Sequence, residues 1–463
     1  MPGNYQVYLA IIVFLVTYSI IVSEKFHRTV AAFAGAAIVV LAGITPPEKA
    51  VASIDWNTIG LLVGMMIIVG LTRETGVFEF LAIKAAQAAG GYPLAILASL
   101  GGVTAILSSV LDNVTTVLLI VPVTFAIANK LKLNPLPFLV AEILTSNIGG
   151  TATLIGDPPN IMIGSASHLG FMDFVINLTP VVILIHMLTV FILQLIYRKG
   201  LLLSNDRRNG ILELDARAEL KNLNLLRKSI IVLGLVIVGF LLHQYLHLES
   251  SVIALSGAAL LLVITRTDPE EPISFVEWPA IFFFVGLFII VGALEEVGII
   301  SALAKLSLEL TGGQMILSGM LVMWVSALAS SFVDNIPFVA TMIPLLKELG
   351  ELAQMSVNEQ DFLWWCLSLG ACLGGNGTII GASANVIVAG IAEKRGIYIT
   401  FTGFMKVAFP LMLMSLVISS VYMILWFLLP RILIIPSFLA LALLAALFCR
   451  LQTQRLNRTE DEE

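Results

Sequence analysis

Long apolar runs separated by short polar breaks occupy this chain from Tyr5 to Cys449. Many of them approach the roughly 20 residues that a helix needs to cross a bilayer. They predict five crossings in a first half, at 5–23, 28–45, 57–71, 137–155 and 174–197. Five more follow in a second half, at 229–247, 251–265, 280–294, 362–380 and 405–429. A last span, 432–449, stands outside both sets. Between the third and fourth crossings of each half, two apolar segments meet at an Asp-Asn pair: 93–111 with 114–129, and 313–333 with 336–346. Each pair reads as a re-entrant hairpin, because non-helical backbone at membrane depth needs protein or a wet cavity around it.

The two halves repeat one another. Ser108-Ser109-Val110-Leu111-Asp112-Asn113 returns as Ser330-Ser331-Phe332-Val333-Asp334-Asn335. The same offset pairs Gly35 with Gly257, Trp56 with Trp278, Gly64 with Gly286, Gly76 with Gly298 and Pro122 with Pro344. Gly149-Gly150-Thr151-Ala152-Thr153 and Asn160 correspond in turn to Gly374-Gly375-Asn376-Gly377-Thr378 and Asn385. Duplicated polar, glycine-broken segments inside apolar spans are the pattern of a transporter whose site lies between its repeats.

Charge sets the orientation. With the N-terminus outside, 21 of the 25 lysines and arginines fall on the cytoplasmic side, and only Lys49, Lys305, Lys347 and Arg431 fall outside. Counting the hairpins as full spans would scatter these charges across both faces. The positive-inside bias therefore favours eleven crossings, N-terminus out and C-terminus in. An odd number of crossings per half makes the repeats inverted.

The expected fold is an all-α integral membrane protein of two inverted-topology repeats. The first repeat covers 1–197, with its hairpin at 93–129 and a broken helix at 137–168. A cytoplasmic linker covers 198–228, partly as an amphipathic surface helix within 211–226, and 74–89 is expected to lie on the surface likewise. The second repeat covers 229–430, with hairpin 313–346 and broken helix 362–391. An extra helix at 431–450 and a disordered tail at 451–463 complete the chain.

Composition agrees: 58% of residues are hydrophobic and only 12% charged, about half the charge of a soluble chain. The first apolar run has no positive residue before it and reads as an anchored span rather than a cleaved signal peptide. A net charge of −6 gives no sign of nucleic-acid binding, and Cys366, Cys372 and Cys449 offer no metal spacing. No Walker loop, zinc spacing or nucleophile elbow argues for an enzyme, and no cofactor is implied.

A carboxylate inside the bilayer costs about 2.5–3.5 kcal/mol on insertion scales, so each one calls for a reason. Asp112 and Asp334 sit at the hairpin tips, where they can cap the following helix or offer oxygens to a cation. The run from Asn147 to Asn160 holds three glycines, Asp157 and two prolines, which should unwind the crossing and free oxygens for a hard cation such as Na+. Asp157 has Ala382 as its counterpart, so the first half carries more negative ligands. The weaker candidates are Glu142, which can carry a proton or bond to the hairpin, and His186, which suits hydrogen-bonded packing. Trp56 and Trp278 suit interfacial anchors.

These motifs, Leu111-Asp112-Asn113-Val114-Thr115-Thr116 and Asp334-Asn335-Ile336-Pro337-Phe338 with the two glycine-broken segments, closely resemble the ion transporter superfamily. Within it they are similar to the ArsB/P-protein permeases, with the P-protein branch nearest. NhaD sodium/proton antiporters and divalent anion–sodium symporters are more distant. The resemblance spans about residues 30–425 and implies paired hairpins, two broken helices, elevator-like movement and a homodimer. The divalent anion symporters carry Ser-Asn-Thr at the tips, where this chain has Asp112-Asn113-Val114 and Asp334-Asn335-Ile336. Two added carboxylates repel a dicarboxylate unless they are protonated or masked.

The sequence thus predicts a secondary active transporter of a small ion coupled to H+ or Na+, in the plasma (inner) membrane if prokaryotic. Asp112, Asn113, Asn147, Asp157 and Asn160 are the expected coupling-ion site, for Na+ or H+. Asp334, Asn335, Asn376, Thr378 and Asn385 are expected to build the other half of the cavity, with Thr115, Gly149, Thr151 and Gly374 alongside. Arsenite or antimonite efflux, Na+/H+ exchange and an anion channel remain the alternatives.

Overall fold

The computed structural model describes residues 4–23, 25–167, 169–201 and 211–462, with side chains described up to 448. The first half holds α1 (Asn4–Ser23), α2 (Arg28–Leu41), α3 (Pro47–Ala52), α4 (Trp56–Arg73) and α5 (Val77–Ala88). It continues with α6 (Pro93–Ser108), α7 (Asn113–Leu131), α8 (Leu136–Gly150), α9 (Pro158–Ala166) and α10 (Phe171–Tyr197). The second half holds α11 (Leu223–Leu246), α12 (Ser250–Thr265), α13 (Glu270–Ser274), α14 (Trp278–Glu296) and α15 (Ile299–Thr311). Then come α16 (Met315–Phe332), α17 (Asn335–Leu352), α18 (Val357–Gly374), α19 (Ser383–Lys394), α20 (Phe401–Leu428) and α21 (Arg431–Glu462). No strand occurs among the described residues.

Nine helices among the described residues are long and apolar enough to cross a bilayer. Seven of them fall on expected crossings; the other two, Asn113–Leu131 and Met315–Phe332, are arms of the expected hairpins. The expected crossings at 28–45, 137–155 and 251–265 form shorter apolar helices. The crossing at 362–380 is the 18-residue α18, whose first turn carries Glu359.

The halves pack reciprocally. α4 lies against α12, and α2 against α14. A Cβ on Gly64 would come within 2.5 Å of the backbone of Ala254, and one on Gly286 within 2.7 Å of the backbone of Ala32. Gly64 and Gly286 are repeat partners, as are Ala32 and Ala254, so the same close contact is made twice with the halves exchanged. Within each half, α6 lies along α8 and α16 along α18. These four helices bring the hairpins to the broken segments.

Several local expectations change. The segment 74–89 forms the helix α5, which buries Phe78, Ala82, Ile83 and Ala86 against the core and leaves Leu81 and Lys84 exposed. Its repeat partner α15, which follows Gly298 as α5 follows Gly76, was not expected as a helix. Both glycines hold a left-handed φ, +74° and +80°, that lets the chain turn sharply out of the preceding span. Of the expected linker helix within 211–226, the described residues show helical Ile211 and Leu212 and a 3-10 turn, Ala216–Glu219. This stretch docks on α5, where Gln87 Nε2 donates to Leu214 O at 2.6 Å. The membrane helix α11 already begins at Leu223, and residues 202–210 of the linker lie outside the described residues. The tail expected to be disordered continues α21 as helical backbone to Glu462, in keeping with its content of Leu, Gln, Arg and Glu, all good helix formers.

Candidate ion-binding site

The hairpin tips are built by capping. Asp112 precedes α7 and accepts from Thr115 N at 2.7 Å and from Thr115 Oγ1 at 2.5 Å. Asp334 precedes α17 and accepts from Ile336 N at 3.2 Å. A helix that starts inside a bilayer has orphan N–H groups with no water to satisfy them, and these carboxylates supply the acceptor. Thr115 therefore serves Asp112. The two tips differ in what else they hold: Asp334 also forms an ion pair with Arg28 at 2.6 Å.

Both tips reach one carboxylate. Asn113 Nδ2 donates to Asp157 Oδ1 at 3.3 Å, and Asn335 Nδ2 donates to its Oδ2 at 3.2 Å. Asp157 stands between α8 and α9, at the break in the crossing, and is fully buried. Asn113 Nδ2 also donates to Asn147 Oδ1 at 3.0 Å. Among the described residues, no hydrogen bond engages the amide oxygen of Asn113 or of Asn335, so both remain available to a cation.

Asn147 ties the two broken helices together. Its Nδ2 donates to Asn376 Oδ1 and to Asn385 Oδ1, each at 2.9 Å. The segments around it close on themselves. Asn160 Nδ2 donates to Thr153 O at 2.9 Å, and Asn385 Nδ2 donates to the equivalent Thr378 O at 2.9 Å. Thr153 donates to Ser109 O as Thr378 donates to Ser331 O. Asn376 Nδ2 reaches Leu144 O at 3.2 Å, and Thr151 Oγ1 donates to Asn147 O at 2.8 Å. Asn160 Oδ1 accepts from Ser368 Oγ at 2.6 Å and from Cys372 Sγ at 3.5 Å. These side chains form a fully buried polar spine in which most groups already have partners.

Gly149 and Gly374 have a different duty. A Cβ on Gly149 would lie 2.2 Å from Ala105 O, and one on Gly374 would lie 2.5 Å from Ala327 O. They let α8 and α18 touch the backbones of α6 and α16, which sets the hairpin tips against the breaks.

A cavity of about 30 Å³ opens beside this centre, enough for one or two particles the size of water. It is lined by Asp112, Asn113, Asp157 and Asn335, together with Arg28, Glu277 and Ser383. Four of the fourteen site residues expected from sequence thus face the cavity, while Asn147, Asn160, Asn376 and Asn385 support it from the spine. Arg28, Glu277 and Ser383 were missed. Arg28 carries one usable signal in the sequence, a cation at the start of an apolar run.

Three carboxylates, of Asp112, Asp157 and Glu277, and two free amide oxygens, with Arg28 as the one basic group in the lining, surround this small space and suit a hard monovalent cation or a proton. Among the described residues, no group of three His, Cys, Asp or Glu stands ready for a transition metal. Glu142 accepts from Thr124 of the hairpin arm α7, away from the cavity. His186 is buried, and its Nδ1 has no partner among the described residues, so the expected hydrogen-bonded role is not seen at that nitrogen.

The model of the citrate transporter family CitMHS matches residues 18–370. The chain belongs to that family. The match runs from α1 through most of α18 and includes Arg28, both hairpin tips and Asp157. A 46 kDa membrane protein of Mycobacterium leprae is 44% identical over 420 residues, covering 90% of this chain and 97% of the relative. The P protein of Sus scrofa is 35% identical over 500 residues, covering 90% of this chain and 59% of that protein. The crystal structure of the Alcanivorax borkumensis YdaH transporter aligns with a TM-score of 0.55 over 82% of this chain and 87% of that one, at 14% identity. That likeness concerns the fold alone. As a CitMHS-family chain, the protein is a multi-pass membrane transporter of the CitMHS and P-protein type.

Proposed function

We propose that the protein is a secondary active transporter that moves a small ion across the membrane in exchange or symport with H+ or Na+. The observation that carries this reading is the convergence of Asn113 and Asn335, one from each half, on the buried carboxylate of Asp157 beside a cavity of about 30 Å³. A buried carboxylate that alternates between a proton and a metal cation gives coupling from one site. The reading includes two inverted repeats, eleven crossings with the N-terminus out, movement of the hairpin-bearing bundle and a homodimer.

The tip carboxylates argued against a polycarboxylate substrate on charge. The Arg28 ion pair weakens that objection, since it neutralises Asp334 while it stands. Both anionic and cationic cargo therefore stay within the proposal. Reconstitution into liposomes with a trapped pH dye tests it, with NaCl, LiCl, arsenite and citrate added in turn. Proton movement on adding one of these solutes supports coupled transport. Anion-selective current with no proton movement for any solute would contradict it and favour a channel.

A further inference from the structure

Arg28 joins parts of the molecule that the packing otherwise keeps separate. It opens α2, which lies against α1 and α14. Its Nη1 donates to Asp334 Oδ2 at 2.6 Å and to Ser383 Oγ at 2.5 Å. Asp334 caps the second arm of the second hairpin, and Ser383 begins α19, the far side of the second broken helix. Ser383 Oγ also donates to Asp334 Oδ2 at 2.7 Å, closing a three-membered contact. The ring of Phe283 lies 5.2 Å from the guanidinium carbon and supports its position.

This contact stands between two spaces. Outside it is a vestibule of about 330 Å³, lined by His27, Arg28, Asp334 and Ser383 amid apolar side chains. Inside it is the small cavity at Asp157, which Arg28 and Ser383 also line. The vestibule is of the size that takes a small molecule. Among the described residues, no hydrogen bond engages Arg28 Nη2 or Nε. A guanidinium grips carboxylates and other oxyanions best through two parallel N–H bonds. Its contact with Asp334 uses only one nitrogen, so an oxyanion in the vestibule has unused donors to take.

We propose that the contact of Arg28 with Asp334 and Ser383 is a latch between the vestibule and the inner cavity, opened when a small oxyanion takes Arg28 away from Asp334. The proposal deepens the transport reading and rests on it, since a latch matters only where the hairpin bundle moves. Asp334 and the incoming anion are competitors for one cation. Removing Asp334 must then strengthen anion binding, while removing Arg28 must abolish it. An ion pair that merely holds the fold together would not give opposite signs.

The test is calorimetric titration of citrate and, separately, phosphate into the full-length chain in lipid nanodiscs. Wild type is run beside Asp334→Asn, Arg28→Gln and Arg28→Lys. Freeing the guanidinium in Asp334→Asn is expected to tighten binding about tenfold, as removal of a competing state does. Arg28→Gln should weaken it by about tenfold or more, with Arg28→Lys between, since an ammonium lacks the fork. Citrate alone binding assigns the vestibule to organic carboxylates, phosphate alone assigns it to inorganic oxyanions, and both together mark the shared chemistry. The proposal is overturned if Asp334→Asn and Arg28→Gln shift affinity in the same direction, or if neither anion binds wild type or Asp334→Asn. Should Arg28→Gln fail to fold, the sign of the Asp334→Asn shift still decides. Proton flux with the wild-type chain separates the two readings: flux without the opposed shifts removes the latch and keeps the transporter, while opposed shifts without flux keep the competition for Arg28 but overturn coupled transport and, with it, the latch.

Discussion

Asn113 and Asn335 are repeat partners from opposite halves of the chain, and both donate to the carboxylate of Asp157, at 3.3 and 3.2 Å. One acid is therefore held by both hairpin tips at once. Any change in how the tips meet must alter the bonds that fix it. Alanine at either position is expected to lower coupled flux by about tenfold or more, and the double variant should lose less than the two single losses combined, because the residues share one partner. Initial rates in a double-mutant cycle check this, and independent losses would argue that the tips act separately.

Asn147 is the spine's junction, with Asn113, Asn376 and Asn385 all bonded to its amide. Asn147→Ala orphans the buried amide oxygens of Asn376 and Asn385, while Asn113 Nδ2 keeps Asp157. Each orphaned group costs about 1–3 kcal/mol. A clear drop in Tm is expected by thermal unfolding in detergent. Ser368→Ala removes only one bond to Asn160, whose oxygen keeps Cys372, and should lower Tm less.

Gly149→Ala and Gly374→Ala each press a methyl group into the backbone of the facing helix. Overpacking of this kind costs about 1–3 kcal/mol and would push the hairpin from the break. Both variants should lose stability and transport. Gly102→Ala, whose Cβ would meet nothing within 4 Å, is the matched control and should fold and transport as wild type.

Lys49 and Glu296 form the second ion pair among the described residues, at 2.6 Å, with side chains 59% and 36% exposed. Solvent screening should hold its coupling energy to about 1 kcal/mol or less, falling further with salt. A double-mutant cycle on Tm at low and high ionic strength measures it. A larger, salt-independent value would mark the pair as structural.

Much of this was legible in the sequence because polar residues stand out in an apolar chain. Asp112-Asn113, Asp157 and Asp334-Asn335 announced the tips and the break, since a bilayer tolerates such groups only for a reason. The apolar periods placed the helices at the tips to within a few residues. What stayed hidden was pairing over distance. Nothing local to Arg28 points to Asp334, 306 residues away. Likewise nothing beside Asn160 points to Ser368. The helix α15 escaped notice because only one of its faces is apolar, and an apolar-run reading passes over such a segment. Asn376 and Asn385 read as ligands, yet their amide oxygens are bonded to Asn147, a contact that only the folded halves create.

The central claim is that the Asp157 carboxylate carries the coupling, and one experiment reaches it most directly. Wild type, Asp157→Asn and Lys49→Ala are reconstituted side by side in liposomes with a trapped pH dye, and the solute that drives proton movement in wild type is added to each. Wild-type proton movement should persist in Lys49→Ala and fall by about tenfold or more in Asp157→Asn, as expected when a buried ionisable group on the transport path is removed. Undiminished proton movement in a folded Asp157→Asn chain would contradict the account.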